Sequence, residues 1–305
     1  MTNTPSSPEA SGADSNRRVG TKNQRLVPLT VWLCSDSATA DDKGAKNEPA
    51  RPKPGELCAQ HRHAVGHQLA RHLISSWTMR DELVVEAYTS GDAVLSAAAG
   101  LDRRAVALVP LPLAQHIGVR LCATHGPAAR RKVEMRPARA DQMTRALADQ
   151  PGQAALVIAA PPSYAVGGGV PKVVGQHGCP ACQADLGMLE HLQLSKFLAA
   201  AWETLQPSGV LAVVTNARHQ DDGRLHDPAP SIIRQASQLG FVYVQHVVAL
   251  RVPIEGDALA VQHEPGEIGM LCDVGSKAPV PRANVHSDVL LFVRPVGVER
   301  DGSQQ

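Results

Sequence analysis

Aromatic residues are scarce: Phe, Trp and Tyr together make up 3% of the 305 residues, three of each. So few rings cannot furnish a broad base-stacking platform. A charge excess is missing too. Lys and Arg total 30 against 29 Asp and Glu, a formal net charge of +1. Without a global basic excess, only a local patch could meet nucleic acid. No apolar run approaches the roughly 18 residues that crossing a bilayer requires. Residues 1–18 lack the apolar stretch of a secretory signal. These absences read as a cytoplasmic protein with no membrane partner. The six cysteines are scattered, and in a reducing compartment they read as thiols rather than a disulfide frame.

What is present is an ordinary globular balance, 43% hydrophobic and 19% charged, in a chain long for one compact domain and short for two. Residues 1–57 read as a disordered N-terminal extension with one short apolar segment, Leu26 to Leu33, that suits a strand or a docked arm. Residues 58–296 read as the folded domain and 297–305 as a disordered tail. Val65, Leu69, Leu73 and Trp77 recur every four residues and predict a helix over 62–78. Strands are expected at 83–85, 105–109, 154–160, 210–214, 241–250 and 288–293. Helices are expected at 92–100 (with Gly100 as C-cap), 113–124, 186–205 and 230–239, and a long loop at 164–185. Strands alternating with helices predict an α/β fold: a mostly parallel, Rossmann-like sheet with helices on both faces. The last two strands have no helix between them, so an antiparallel hairpin closes the sheet. Ligands in such sheets sit at the carboxyl ends of the strands.

Several motifs lie in this order. Val157-Ile158-Ala159-Ala160-Pro161-Pro162-Ser163-Tyr164 ends a strand in a Pro-Pro turn. Gln206-Pro207-Ser208-Gly209-Val210-Leu211 makes a turn into the next strand. Gly240-Phe241 and His286-Ser287-Asp288-Val289-Leu290-Leu291-Phe292 mark the late strands. Together they resemble a class I S-adenosylmethionine-dependent methyltransferase. More closely, the chain resembles actinobacterial DNA methylases of the cytosine-N4/adenine-N6 amino type, a group related to tRNA guanosine-N2 methylases. The resemblance covers roughly residues 61 to 295. It implies S-adenosylmethionine as cofactor and a target amine on a flipped-out base. Pro161, Pro162, Ser163 and Tyr164 would form the target turn. Glu86, Ser90, Gly91, Asp92, Val109 and Asp141 would border the cofactor.

The sequence departs from the family's pattern at those positions. The family's first loop runs Asp-Pro-x-x-Gly-x-Gly-Thr. This chain has Glu86-Ala87-Tyr88-Thr89-Ser90-Gly91-Asp92-Ala93. Asp92 stands where the second glycine belongs, and reads as the N-cap of the following helix. Val109 stands where an acid would hold the ribose hydroxyls. Pro137 stands where the acid of a Gly-Asp-Ala-Arg turn belongs, with Asp141 nearby as a substitute. Ala160 replaces the polar residue before Pro-Pro, Ser163 takes the aromatic position, and Tyr164 follows one place later. His61-Arg62-His63-Ala64 lacks the proline and lysine of a His-Pro-x-Lys opening. A retained core with an eroded site describes an inactive homologue, a pseudoenzyme. The alternative is an active N-methyltransferase on DNA or RNA amino groups.

Two further clusters call for a reading. Cys179-Pro180-Ala181-Cys182, with His177 before it, could clamp zinc and stabilise an interaction module. A structural site needs four ligands, however, and no second C-x-x-C exists, so these read as loop thiols. His61, His63, His67 and His72 read as a solvated helix face. Arg130, Arg131 and Lys132, with Arg136 and Arg139 after them, form the one local patch that could contact nucleic acid.

Overall fold

The structure is a computed structural model. It describes residues 29–35, 65–109, 111–162, 166, 194–219, 225–251, 254–255, 258–259 and 285–297. Most of the expected disordered extension and tail (apart from residues 29–35 and 297), the 164–185 loop (apart from Val166), and residues 186–193 of the expected helix lie outside the described residues.

Eight strands form one sheet. They are β1 (Leu29–Leu33), β2 (Leu83–Ala87), β3 (Arg104–Leu108), β4 (Val133–Arg136), β5 (Ala154–Ala159), β6 (Leu205–Thr215), β7 (Val242–Leu250) and β8 (His286–Val293). Their spatial order is β1-β7-β8-β6-β5-β2-β3-β4. Strands β6, β5, β2, β3 and β4 run parallel to one another. Strand β8 lies between β6 and β7, antiparallel to both. This is the mostly parallel, Rossmann-like sheet with an antiparallel closing pair expected from the sequence.

The helices are α1 (His67–Trp77), α2 (Ala93–Gly100), α3 (Leu111–Thr124), α4 (Pro127–Arg130), α5 (Met143–Ala146), α6 (Leu194–Thr204) and α7 (Ala229–Gln238). They cover both faces. Leu69, Leu73 and Ile74 of α1, Val94 and Leu95 of α2, and Leu113 and Ile117 of α3 pack on one face. Met143 of α5, Phe197 and Trp202 of α6, and Ile232 of α7 pack on the other. Sandwiched strands must be apolar on both sides, and every residue of β2 and β5 is buried. That double burial includes Glu86, the one acid in either strand.

Three elements differ from the sequence reading. Helix α1 begins at His67, not residue 62. Helix α2 is closed by Leu101, whose N–H bonds the Ala97 carbonyl, and Gly100 is its last helical residue. Strand β4 was not expected: it is short, half-charged and at the sheet edge, so no apolar run announces it. The apolar segment near residue 30 is a strand, parallel to β7 in the same sheet. It is anchored by buried Cys34 and by Trp32, whose ring lies 5.6 Å from His72 of α1.

The chain runs outward from β2 through β3 to β4, then returns to place β5 on the other side of β2. Strand order therefore reverses between β2 and β5. Loops leaving neighbouring strands in opposite directions open a crevice at their carboxyl ends. The loop 88–92 and the turn 160–162 border that crevice.

Candidate functional site

Glu86 sits one residue from the end of β2, paired with Ala107 of β3 and Ile158 of β5. Its side chain is 5% exposed. Its Oε2 has no hydrogen-bond partner among the described residues. Burial, reinforced by the nearby Asp92 carboxylate and opposed by the Thr89 hydroxyl, pushes its pKa up to about 8. At neutral pH Glu86 is therefore mainly a neutral acid, able to donate as well as accept.

Tyr88 follows in the left-handed region at φ +58°, a conformation costly for an aromatic residue. Its ring meets Phe197 edge to face, 5.1 Å between centroids. Its hydroxyl is buried without a partner among the described residues. Burial and the charge of Asp141 raise its pKa, so the phenol stays protonated. Asp141 is held by Arg139 through two contacts of 3.0 and 3.2 Å. Ser90 and Gly91 are half-buried. A Cβ added at Gly91 would meet nothing within 4 Å, so the loop backbone faces open space there.

Asp92 does not cap α2. Its backbone is helical (φ −93°, ψ −2°) and its side chain makes no capping bond. An N-cap needs extended backbone to turn its carboxylate back onto the first-turn N–H groups. Instead Oδ1 accepts from Arg120 Nε of α3 at 2.8 Å, and Oδ2 lies 3.4 Å from Ser96 Oγ. His67 Nε2 lies 4.0 Å from Oδ2. Of the histidines expected on a solvated face, His72 is exposed with its ring tilted 34° against Trp32, and His67 is partly exposed and faces Asp92.

Val109 is fully buried in the core beneath α1, α2 and α3. It presents neither a polar atom nor an exposed surface to a cofactor. Pro161 is buried, while Ala160 and Pro162 are half-buried. Ser163 and Tyr164 lie outside the described residues, as do Cys179 and Cys182. The structure thus places Ser90, Gly91 and Asp92 on one loop, directly after the strand end that carries Glu86. It sets Pro161 and Pro162 on the neighbouring strand end and Val109 in the core. Asp141 joins through its electrostatic contact with Tyr88. Sequence reading missed Tyr88, Arg120 and Ser96 as members. Left-handed backbone at Tyr88 and the reach of Arg120 across 28 positions leave no local sequence signal.

The basic run lies elsewhere. Lys132 immediately precedes β4, so it sits at the amino ends of the strands, away from the crevice. It pairs with Asp81 at 2.7 Å and with Asp102, which hold its pKa up. Arg130 donates to Cys122 Sγ at 2.7 Å. Arg136, Pro137, Ala138, Gln142, Arg145 and Ala146 line an open depression of about 490 Å³. Arg136 there is already committed to Glu134 and Asp149, at 2.9 and 2.5 Å. Among the described residues no group of three or more His, Cys, Asp or Glu could hold a metal ion. No helix among them is long and apolar enough to cross a membrane.

No family model and no curated protein matches the sequence. Among solved structures the chain resembles TrmN from Thermus thermophilus (14% identity, TM-score 0.43), over 77% of this chain and 51% of that one. It therefore spans about half the length of that relative. It also resembles a precorrin-6y C5,15-methyltransferase from Geobacter metallireducens (13%, TM-score 0.44), over 78% of this chain and 93% of that one. A third is the 16S rRNA (adenine(1408)-N(1))-methyltransferase from Catenulisporales acidiphilia with its cosubstrate SAM (13%, TM-score 0.42), over 75% of this chain and 90% of that one. At these identities the likeness is one of chain path alone.

S-adenosylmethionine, the cofactor expected from the sequence resemblance, has two ends to satisfy. The amino-acid end finds a partial fit: a buried carboxyl at Glu86 with one oxygen unpaired among the described residues, and an open backbone at Gly91. At the ribose end the expected residue, Val109, offers no acceptor and is sealed in the core. The loop between them carries the carboxylate of Asp92 where close backbone approach needs glycine.

Proposed function

We propose that this chain is a methyltransferase-like protein of the DNA amino-methylase type whose S-adenosylmethionine site is eroded. It holds the cofactor weakly, transfers no methyl group, and acts by binding. The observation that carries this reading is Asp92, buried in the cofactor loop and tied to Arg120 where the family has glycine. Val109 and Ala160 agree with it, since neither can make the polar contact its position demands. The experiment is transfer of labelled methyl groups from S-adenosylmethionine to duplex DNA, single-stranded DNA and RNA. No incorporation above a heat-treated control is expected. Incorporation that disappears in Tyr164→Ala would overturn the reading.

A second reading is an active N-methyltransferase on DNA or RNA amino groups. It is favoured by two buried polar atoms without a partner among the described residues, Glu86 Oε2 and the Tyr88 hydroxyl. Buried polar atoms are rarely left unpaired, and a ligand could satisfy either. The same assay decides between the two. Nucleic-acid binding through Arg130, Arg131 and Lys132 belongs to either reading. It would show as a binding constant that falls with salt and weakens in an Arg131→Ala variant.

A further inference from the structure

The groups around Asp92 come from three separate helices. Arg120 of α3 donates to one carboxylate oxygen at 2.8 Å. Ser96, one turn into α2, lies against the other at 3.4 Å and is itself held by His125 Nε2 at 3.1 Å. His67 of α1 faces the same oxygen at 4.0 Å. The two oxygens are recognised separately, which suits a planar carboxylate. Asp92 gains nothing as a helix cap, since its backbone geometry prevents capping. A carboxylate 5% exposed is costly unless paired, so the receiving groups, not the helix start, hold it in place. Beside it Glu86, equally buried, keeps an unpartnered oxygen among the described residues and feels the Asp92 charge.

We propose that Asp92 is an internal ligand. Its side chain fills, in cis, a carboxylate-binding site formed by Arg120, Ser96 and His67, a site that would otherwise receive the carboxylate of a small molecule. This deepens the eroded-site reading and rests on it: at the cofactor loop the chain supplies its own anion. Free carboxylates find no vacancy in the native protein. Removing the side chain while leaving Arg120 in place creates one.

The test is carboxylate rescue of Asp92→Gly in the full chain, read by thermal unfolding in acetate against chloride at equal ionic strength. The variant is expected to unfold at a lower temperature than the native protein. Acetate should restore most of that loss, leave the native protein unmoved, and have no effect once Arg120→Ala is added. An acetate response equal in variant and native protein, or one that survives Arg120→Ala, would overturn the proposal. Should Asp92→Gly fail to fold, the cycle of Asp92→Asn and Arg120→Gln serves instead. Coupled losses of stability support the site, and additive losses refute it. Neither readout involves S-adenosylmethionine. Tight cofactor binding by the native protein would defeat the eroded-site reading, whereas absent rescue would defeat only this one.

Discussion

At Glu86 burial and chemistry pull against each other. The strand that carries it is sandwiched, so the carboxyl is dry, and dryness holds its proton on to about pH 8. In the unfolded chain that proton leaves near 4.5. The folded form thus binds the proton more tightly. Stability from this group is fully present below about pH 4.5 and declines until about pH 8. Glu86→Gln should remove that decline. Denaturant midpoints of native and variant protein at pH 5 and pH 8 should diverge, with the variant gaining as pH rises, by roughly 3–4 kcal/mol. Equal slopes would place Glu86 in contact with water. Tyr88 offers a simpler case. Its hydroxyl is buried with no partner among the described residues, so Tyr88→Phe should hold stability or raise it by about 1 kcal/mol. A loss of similar size would mean that the hydroxyl is bonded in solution.

At the scale of elements, the joint between α7 and β7 is the most constrained. Gly240 lies at φ +100°, and a Cβ there would meet Cη2 of Trp202 at 2.9 Å. The Trp202 ring is wedged edge to face against Phe241, 5.0 Å between centroids, and Arg294 stacks on it at 5.3 Å, so it cannot yield. Gly240→Ala should cost about 2 kcal/mol or more from strain and clash together, measurable by chemical denaturation. A loss under about 0.5 kcal/mol would mean that the ring moves freely. This Gly240-Phe241 pair was visible in the sequence as a strand opening, and strands β2, β3 and β5 were equally legible, because buried parallel strands are apolar runs. Strand β4 was not, because an edge strand of two charged residues in four leaves no such run. The reading of Asp92 as a cap failed for a different reason. Local propensity speaks for the residue and its neighbours, while the partner that decides its conformation, Arg120, comes from another helix.

For the whole molecule, β1 changes where the fold begins. It extends the sheet beyond β7 and buries Cys34 and part of Trp32 against the α1 face. A chain starting at residue 58 would lose both and expose the β7 edge. It should unfold with about 3 kcal/mol less free energy, from roughly 1.5–3 kcal/mol per buried side chain. Equal stability of the two chains would mean that β1 is only laid against the sheet. The architecture at this scale was legible from alternation alone, which fixed the parallel core and the antiparallel close. The crevice followed from strand order, and its contents did not, since they depend on contacts between helices.

Whether that crevice holds a cofactor is tested most directly by titrating the full chain with S-adenosylmethionine and S-adenosylhomocysteine by calorimetry. With no ribose acceptor at Val109 and a carboxylate at Asp92, dissociation constants no tighter than about 1 mM, near −4 kcal/mol, are expected for both. Binding at about 1 μM, near −8 kcal/mol, would contradict the eroded site.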